Sequence, residues 1–254
     1  MKNILRKLKI FATTILFWIT NIFTVFLGFL GTPILGLVIG NIYAAHVFFS
    51  RLWARTSLAA AAIPVRIEGS ENIPKNTPVI YMPNHASNLD WIILWAILPY
   101  PPPIRYVAKK ELYKIPFFGA NLRYGGHFAL DRERKKIAHE TLAKVVEVTK
   151  TSSVIIFPEG TRSWDGKLGE FRGGGVYTAL KVGVPIVPVA IAGTFDILPR
   201  QTLMITPGKV KVKFGQPLYF EKKEEMDLES YKGAINKVRE VISDMLSELE
   251  REDG

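Results

Sequence analysis

The sequence predicts an α/β fold: a mixed, largely parallel sheet flanked by helices and preceded by an N-terminal hairpin of two apolar helices. Three observations carry this. Two apolar stretches fill most of the first fifty residues. From about Val65, short β-rich runs alternate with helical stretches, the pattern of an α/β domain. The chain then closes on a long stripe of apolar residues spaced by three and four.

The apolar stretches come first. Ile10 to Leu30 would make a helix roughly 31 Å long, enough to cross a hydrocarbon core, and Pro33 to Phe49 one of roughly 26 Å. Gly31-Thr32-Pro33 separates them, and a proline after a glycine suits a helix start, so the turn is expected there. Thr13, Thr14, Thr20, Asn21, Thr24, Asn41 and His46 interrupt the apolar runs. Seven basic residues (Lys2, Arg6, Lys7, Lys9, Arg51, Arg55 and Arg66) precede the first acidic one, Glu68, and bracket the apolar sequence. An anionic lipid surface attracts such residues, by about 1 kcal/mol each. Positive charge at both ends places both ends on the cytoplasmic side. Residues 1–62 are therefore expected to be a membrane anchor with its connection. It would sit on the cytoplasmic face of the cell inner or plasma membrane, either monotopic or hairpin-anchored. A secretory signal fits less well: the apolar region runs on too far, without a small-x-small cleavage site after the first helix.

The net charge of +10 would also suit a nucleic-acid binder. No nucleic-acid motif is present, however, and the charge is grouped around the apolar segments. The expected partner is the phospholipid surface, and not nucleic acid. The absence of cysteine excludes disulfides, thiolate zinc sites and thiol nucleophiles.

Residues 63–254 read as one α/β domain. Strands are expected at VRIEG, VIYM (Val79–Met82), IRYVA (Ile104–Ala108), HFALD, VIIF (Val154–Phe157), IVPVAI and KVKVKFG. WIILWAIL reads as a buried helix. Arg134 to Thr149 reads as an amphipathic one, with Ala138, Leu142, Val145, Val146 and Thr149 on one side. Near the end, Leu228, Tyr231, Ile235, Val238, Ile242, Met245 and Leu249 share one helical face, the signature of core packing.

Two segments that directly follow strands carry the candidate chemistry. In NHASNLD, His85 and Asp90 stand with four residues between them. Alone this would read as a loop with a helix cap at Ser87 or Asn88 and an acid in the first turn. In FPEGTRS, Pro158 ends the strand, Gly160 allows close backbone approach, and Arg162 offers a planar fork suited to phosphate. Downstream, EFRGGGVYTAL sets glycines at a helix start, an anion-receptive arrangement that is weak evidence by itself.

Together these segments resemble the 1-acyl-sn-glycerol-3-phosphate acyltransferase family, the PlsC or lysophosphatidic acid acyltransferases. Its four blocks occur in order. They are Asn84-His85-x4-Asp90; Gly126 to Arg132, after KKELYKIPFFG (Lys109 to Gly119); Phe157 to Ser163; and VPIVPVAI (Val184 to Ile191). In the second block, His127 and Ala129 stand where bulkier apolar residues are common. The resemblance implies transfer of a fatty acyl group from a thioester of coenzyme A or acyl carrier protein to the sn-2 hydroxyl of lysophosphatidic acid. It also implies that Glu159, Gly160, Thr161 and Arg162 bind the glycerol phosphate acceptor. Lys109 and Arg132 are added here as partners for anionic groups of acceptor or donor.

The chemistry suits the residues. A lipid hydroxyl is a poor nucleophile until deprotonated, and a neutral His can take its proton near pH 7. Asp90 can fold back onto Nδ1 of His85, fixing the tautomer and steadying the imidazolium. No serine occupies a nucleophile elbow, and Ser87 is the one nearby alternative, so direct transfer is expected. Neither a metal nor a cofactor is expected. The alternatives are acylation of glycerol 3-phosphate or another lysophospholipid, a lipid hydrolase, and a non-enzymatic lipid-binding protein. The last two leave His85 and Asp90 without a nucleophile or without a purpose.

Overall fold

The computed structural model describes residues 2–130, 135–223, 225 and 227–251. Among the described residues, eight α-helices and seven strands follow one another: α1 (Lys2–Ile39), α2 (Ile42–Ala60), β1 (Val65–Glu68), β2 (Ile80–Pro83), α3 (Leu89–Ile97), β3 (Ile104–Lys109), α4 (Phe118–Tyr124), β4 (Phe128–Leu130), α5 (Lys135–Thr149), β5 (Ser153–Ile155), α6 (Gly174–Val182), β6 (Ile186–Ala192), α7 (Thr194–Ile197), β7 (Val210–Phe214) and α8 (Leu228–Arg251). All seven expected strands form. The short α4, preceded by a 3-10 turn at Lys110–Lys114, was not expected from the sequence.

The sheet order is β1-β7-β6-β2-β5-β3-β4. Every pairing is parallel except β6 with β7. Helices α2 and α3 cover one face, where Trp53, Leu58, Leu89 and Ile93 meet Tyr81, Val187 and Val189. On the other face, α6 and α8 set Val176, Leu180, Val238 and Ile242 against Ile80, Met82 and Ile186. With both faces covered, β2, β5 and nearly all of β6 are buried, as a parallel sheet requires. On α8 the buried stripe is Ala234, Val238, Ile242, Met245 and Leu249, while Leu228 stays 65% exposed at the helix start.

The expected turn at Gly31-Thr32-Pro33 is corrected: α1 runs straight through Pro33 to Ile39. The reversal comes at Gly40, whose φ of +68° ends the helix, and at Asn41, whose side chain caps α2 by accepting from Ala44 N–H at 2.9 Å. Gly31 has a packing role instead, since a Cβ there would collide with the Phe49 ring of α2.

Helix α1 is polar on the inside and apolar on the outside. Thr14, Asn21, Thr24 and Thr32 are buried against the rest of the chain, along with Phe17 and Gly28. Asn21 Oδ1 accepts from Trp53 Nε1–H (2.9 Å), and Val25 O accepts from Asn121 Nδ2 (2.9 Å). Meanwhile Leu8, Phe11, Ile15, Ile19, Ile22, Phe23 and Leu30 face outward, each at least 43% exposed. A water-facing helix has the opposite arrangement. Two of the polar residues that interrupt the apolar sequence, Thr14 and Asn21, thus fasten α1 to the rest of the chain.

One of the departures in the second sequence block, His127, also acquires a reason. His127 packs against α2, where its Nε2 lies 3.2 Å from His46 Nε2. Tyr106 N–H donates to His127 Nδ1 (3.2 Å), so Nε2 of His127 carries the hydrogen shared with His46. Burial, with Arg105 adding to it, pushes His46 down to about 3; burial, then His46 and Arg105, holds His127 well below the ordinary range. Both rings fold uncharged, whereas an unfolded chain protonates them near 6.5. The unfolded state therefore binds more protons below that pH, and stability falls by up to about 1.4 kcal/mol per pH unit for each ring. Thermal unfolding followed from pH 7.5 to pH 5 should show this loss. It should be visibly smaller in His46→Leu with His127→Phe; an unchanged pH dependence in that variant would exclude the pair as the cause.

Candidate active site

Because β2, β3, β4, β5 and β6 run in parallel, their carboxyl ends open on one edge of the sheet, where α/β folds form ligand sites. Asn84 and His85 follow β2, Phe157 to Arg162 follow β5, Lys109 ends β3, and Thr194 follows β6. A cavity of about 510 Å3 lies there.

His85 Nδ1 donates to Asp90 Oδ2 at 2.8 Å. The same oxygen accepts from the N–H groups of Ala86 and Ser87, both at 2.8 Å, and Oδ1 accepts from Thr194 Oγ1 at 2.6 Å. Asp90 is fully buried, and these four donors hold its carboxylate in one orientation. With Nδ1 engaged, Nε2 of His85 has no protein partner among the described residues and is the nitrogen available to a ligand in the cavity that His85 lines. Phe157 stacks on the imidazole with centroids 4.0 Å apart, which fixes the plane of the ring.

The expected helix cap at Asn88 does not form. Ser87 Oγ instead accepts from Leu89 N–H (3.1 Å) and donates to Leu198 O (2.7 Å). It is fully buried and occupied on both sides, which removes it as a nucleophile. Asn84 grips β6 through both ends of its amide, giving to Ile191 O (2.9 Å) and accepting from Ile191 N–H (2.7 Å).

Glu159 differs from the other residues of its block. Its Oε1 accepts from His85 N–H (2.7 Å) and its Oε2 from Gly169 N–H (3.0 Å). Burial raises its carboxyl above the ordinary range, and those two N–H groups pull it back. Both oxygens are therefore committed to the loops around the site, and Glu159 does not line the cavity. Gly160, Thr161, Arg162 and Lys109 do line it. Gly160 has a φ of +72°, and a Cβ there would press within 3.0 Å of the Arg172 side chain. Arg132 lies outside the described residues.

Two cavity cations escaped the sequence reading. Arg172 lies across Gly160, and Arg200 Nη1 donates to Thr161 Oγ1 (3.1 Å) and Arg162 O (3.0 Å). Nothing in the sequence around Arg200 separates it from an ordinary surface arginine, since its neighbours in space lie 38 residues away. Burial lowers the Arg162 guanidinium, with nearby Arg200 adding to it and Asp90 opposing. Among the described residues, no carboxylate forms an ion pair with Arg162, Arg172 or Arg200. Lys109 has Glu111 at 3.5 Å. One end of the cavity is thus cationic. The rest is apolar, lined by residues such as Trp91, Trp95, Phe118, Leu122, Leu142 and Val145.

Known proteins resemble this chain. A family model described as Acyltransferase matches residues 64–192. The 1-acyl-sn-glycerol-3-phosphate acyltransferase of Cocos nucifera is 37% identical over 171 residues, covering 66% of this chain and 54% of that protein. The protein of the same name from Saccharomyces cerevisiae is 30% identical over 228 residues, covering 87% and 73%. The crystal structure of the 1-acyl-sn-glycerophosphate (LPA) acyltransferase, PlsC, from Thermotoga maritima superposes with a TM-score of 0.82 at 30% identity, covering 96% of this chain and 98% of that one. The chain spans about half the length of the plant relatives it matches. By the extent of the family match and by these relatives, the chain belongs to the acyltransferase family, among whose members are the 1-acyl-sn-glycerol-3-phosphate acyltransferases.

Proposed function

We propose that this protein transfers a fatty acyl group from an acyl thioester to the sn-2 hydroxyl of lysophosphatidic acid, giving phosphatidic acid. The observation that carries the reading is the His85–Asp90 pair at the meeting of a cationic end and an apolar wall in one cavity. The acceptor phosphate goes to Arg162, Arg172 and Arg200, and the acyl chain lies along the apolar wall. Nε2 of His85 takes the proton of the acceptor hydroxyl as its oxygen attacks the thioester carbonyl. Asp90 stabilises the imidazolium so formed. The tetrahedral intermediate expels the thiolate, which recovers the proton from His85, so an ester and a free thiol leave. The scheme calls on neither metal nor cofactor; coenzyme A or acyl carrier protein enters as the carrier of the co-substrate.

Membrane association follows from α1. It is long and apolar enough to cross a bilayer, yet it is fastened to the domain from Thr14 to Phe29. A helix held along a folded domain in that way cannot also traverse lipid there. We read it as lying in one leaflet on the cytoplasmic face, a monotopic anchor with its apolar side in the acyl region.

Replacing His85 with Ala should lower kcat by about 10²–10⁴-fold with little change in melting temperature, measured as thiol release with both substrates present. Asp90→Asn should be comparably severe, because its amide NH2 would confront backbone donors. A tenth of the parent rate surviving in both variants would remove the dyad. Arg162→Ala should raise acceptor KM at least tenfold, with Lys restoring only part of it, since Lys cannot form the forked contact. An unchanged acceptor KM would place the phosphate elsewhere. Ile19→Asp with Phe23→Asp, which touch lipid and not the core, should release the protein from liposomes in flotation assays. Retained flotation would count against the anchor.

A further inference from the structure

The loop from Arg200 to Pro207, between α7 and β7, has no regular secondary structure but is held at several points. Trp18 Nε1 donates to Leu203 O (2.9 Å), Ile205 N–H donates to Thr14 Oγ1 (2.9 Å), and Thr206 N–H donates to Ile197 O (2.9 Å). Ile205 is fully buried. Held this way, the loop presents Leu203, 67% exposed, and Met204, 41% exposed. Beside it, Trp164 is 63% exposed and stacks with the Arg200 guanidinium, 4.0 Å from its ring centre.

One exposed leucine carries no message. Here two of the loop's fixing points, Thr14 and Trp18, belong to α1, next to its outward Phe11, Ile15 and Ile19. A single apolar surface therefore continues from the helix onto the loop. The same loop carries Arg200, whose guanidinium bonds to the backbone and side chain of the phosphate-facing segment at Thr161 and Arg162. Apolar side chains below cationic ones match a lipid leaflet, with hydrocarbon beneath anionic headgroups.

We propose that the 200–207 loop, together with Trp164, is a second membrane-contact element. Leu203 and Met204 enter the leaflet that receives α1, and their insertion seats Arg200 at headgroup depth, beside the acceptor phosphate. The proposal rests on the lipid-facing reading of α1. It differs in assigning lipid contact to a segment about 160 residues beyond the end of that helix.

The chain contains no cysteine, so a single one can be introduced and labelled without background. Leu203→Cys, Phe23→Cys and Leu228→Cys in the full chain would each carry a polarity-sensitive fluorophore. Quenching is then measured in phosphatidylcholine–phosphatidylglycerol vesicles with brominated acyl chains. Leu228 is equally exposed but begins α8, on the opposite face of the sheet from α2. We expect strong quenching at positions 203 and 23 and none at 228. Quenching at 23 without quenching at 203 overturns the proposal and leaves the α1 reading standing. Absence of quenching at both overturns the two together. Lipid-independent self-quenching at 203 would make the surface an interface between copies and also overturns the proposal. In the functional arm, Leu203→Asp with Met204→Asp should raise the apparent KM for vesicle-embedded acceptor about tenfold, with a smaller change in kcat. An unchanged KM in that variant counts against the seating of Arg200.

Discussion

Four donors converge on the two oxygens of Asp90, and the rest of the site is arranged around that carboxylate. A buried carboxylate left short of partners is costly, about 1–3 kcal/mol or more for each unsatisfied position. The chain meets this demand with two backbone N–H groups from its own loop, the His85 ring, and the Thr194 hydroxyl from beyond the neighbouring strand β6. The arrangement that satisfies Asp90 also determines how His85 stands. Its ring cannot turn without breaking the Nδ1 bond and leaving the Phe157 face. A fixed imidazole, with Nε2 turned from the buried acid, follows from the need to satisfy that acid.

The same reasoning explains why Glu159 and Asn84 surround the His85–Asp90 pair with their polar atoms turned to the backbone. Asn84 joins the loop after β2 to β6, and Glu159 joins the loops after β2 and β5 to the segment at Gly169. Thr194, which completes the Asp90 shell, follows β6. Three chain segments far apart in sequence are thereby locked to one another at the carboxyl edge of the sheet. Charge then divides the labour: the acids are buried and consumed by internal bonds, while Arg162, Arg172 and Arg200 remain without acidic partners among the described residues and give the cavity its anion-seeking end.

Much of this was legible in the sequence, and what escaped had a physical cause. Strand positions follow from local composition, so all seven runs were found. The His85–Asp90 contact spans a single loop, and it was legible once the family resemblance set the spacing of the two residues in context. Thr194 and Arg200 were not, because each acquires its role from partners 38 to 104 residues away across the sheet. Glu159 was read as a substrate contact because a motif identifies a residue without indicating where its oxygens point. The turn at residues 31–33 failed for a different reason. Glycine and proline punctuate a soluble helix, but here Gly31 admits the Phe49 ring and Pro33 sits exposed on the apolar side, while Gly40 and Asn41 supply the real reversal.

Helix α1 and the α/β domain cannot be regarded as separate modules. Phe17 belongs to the same apolar cluster as Tyr81 and Phe214 of the sheet, so the inner side of the helix is part of the domain core. Its buried Asn21 accepts from Trp53 in α2, Asn121 in α4 donates to its backbone, and Thr14 holds the 200–207 loop. A helix that merely tethered the domain would need none of these bonds. Through them, the position of α1 is coupled to the loops around the cavity. Rigid attachment of this helix to the carboxyl edge of the sheet therefore ties the packing of apolar side chains to the placement of the segments that surround His85.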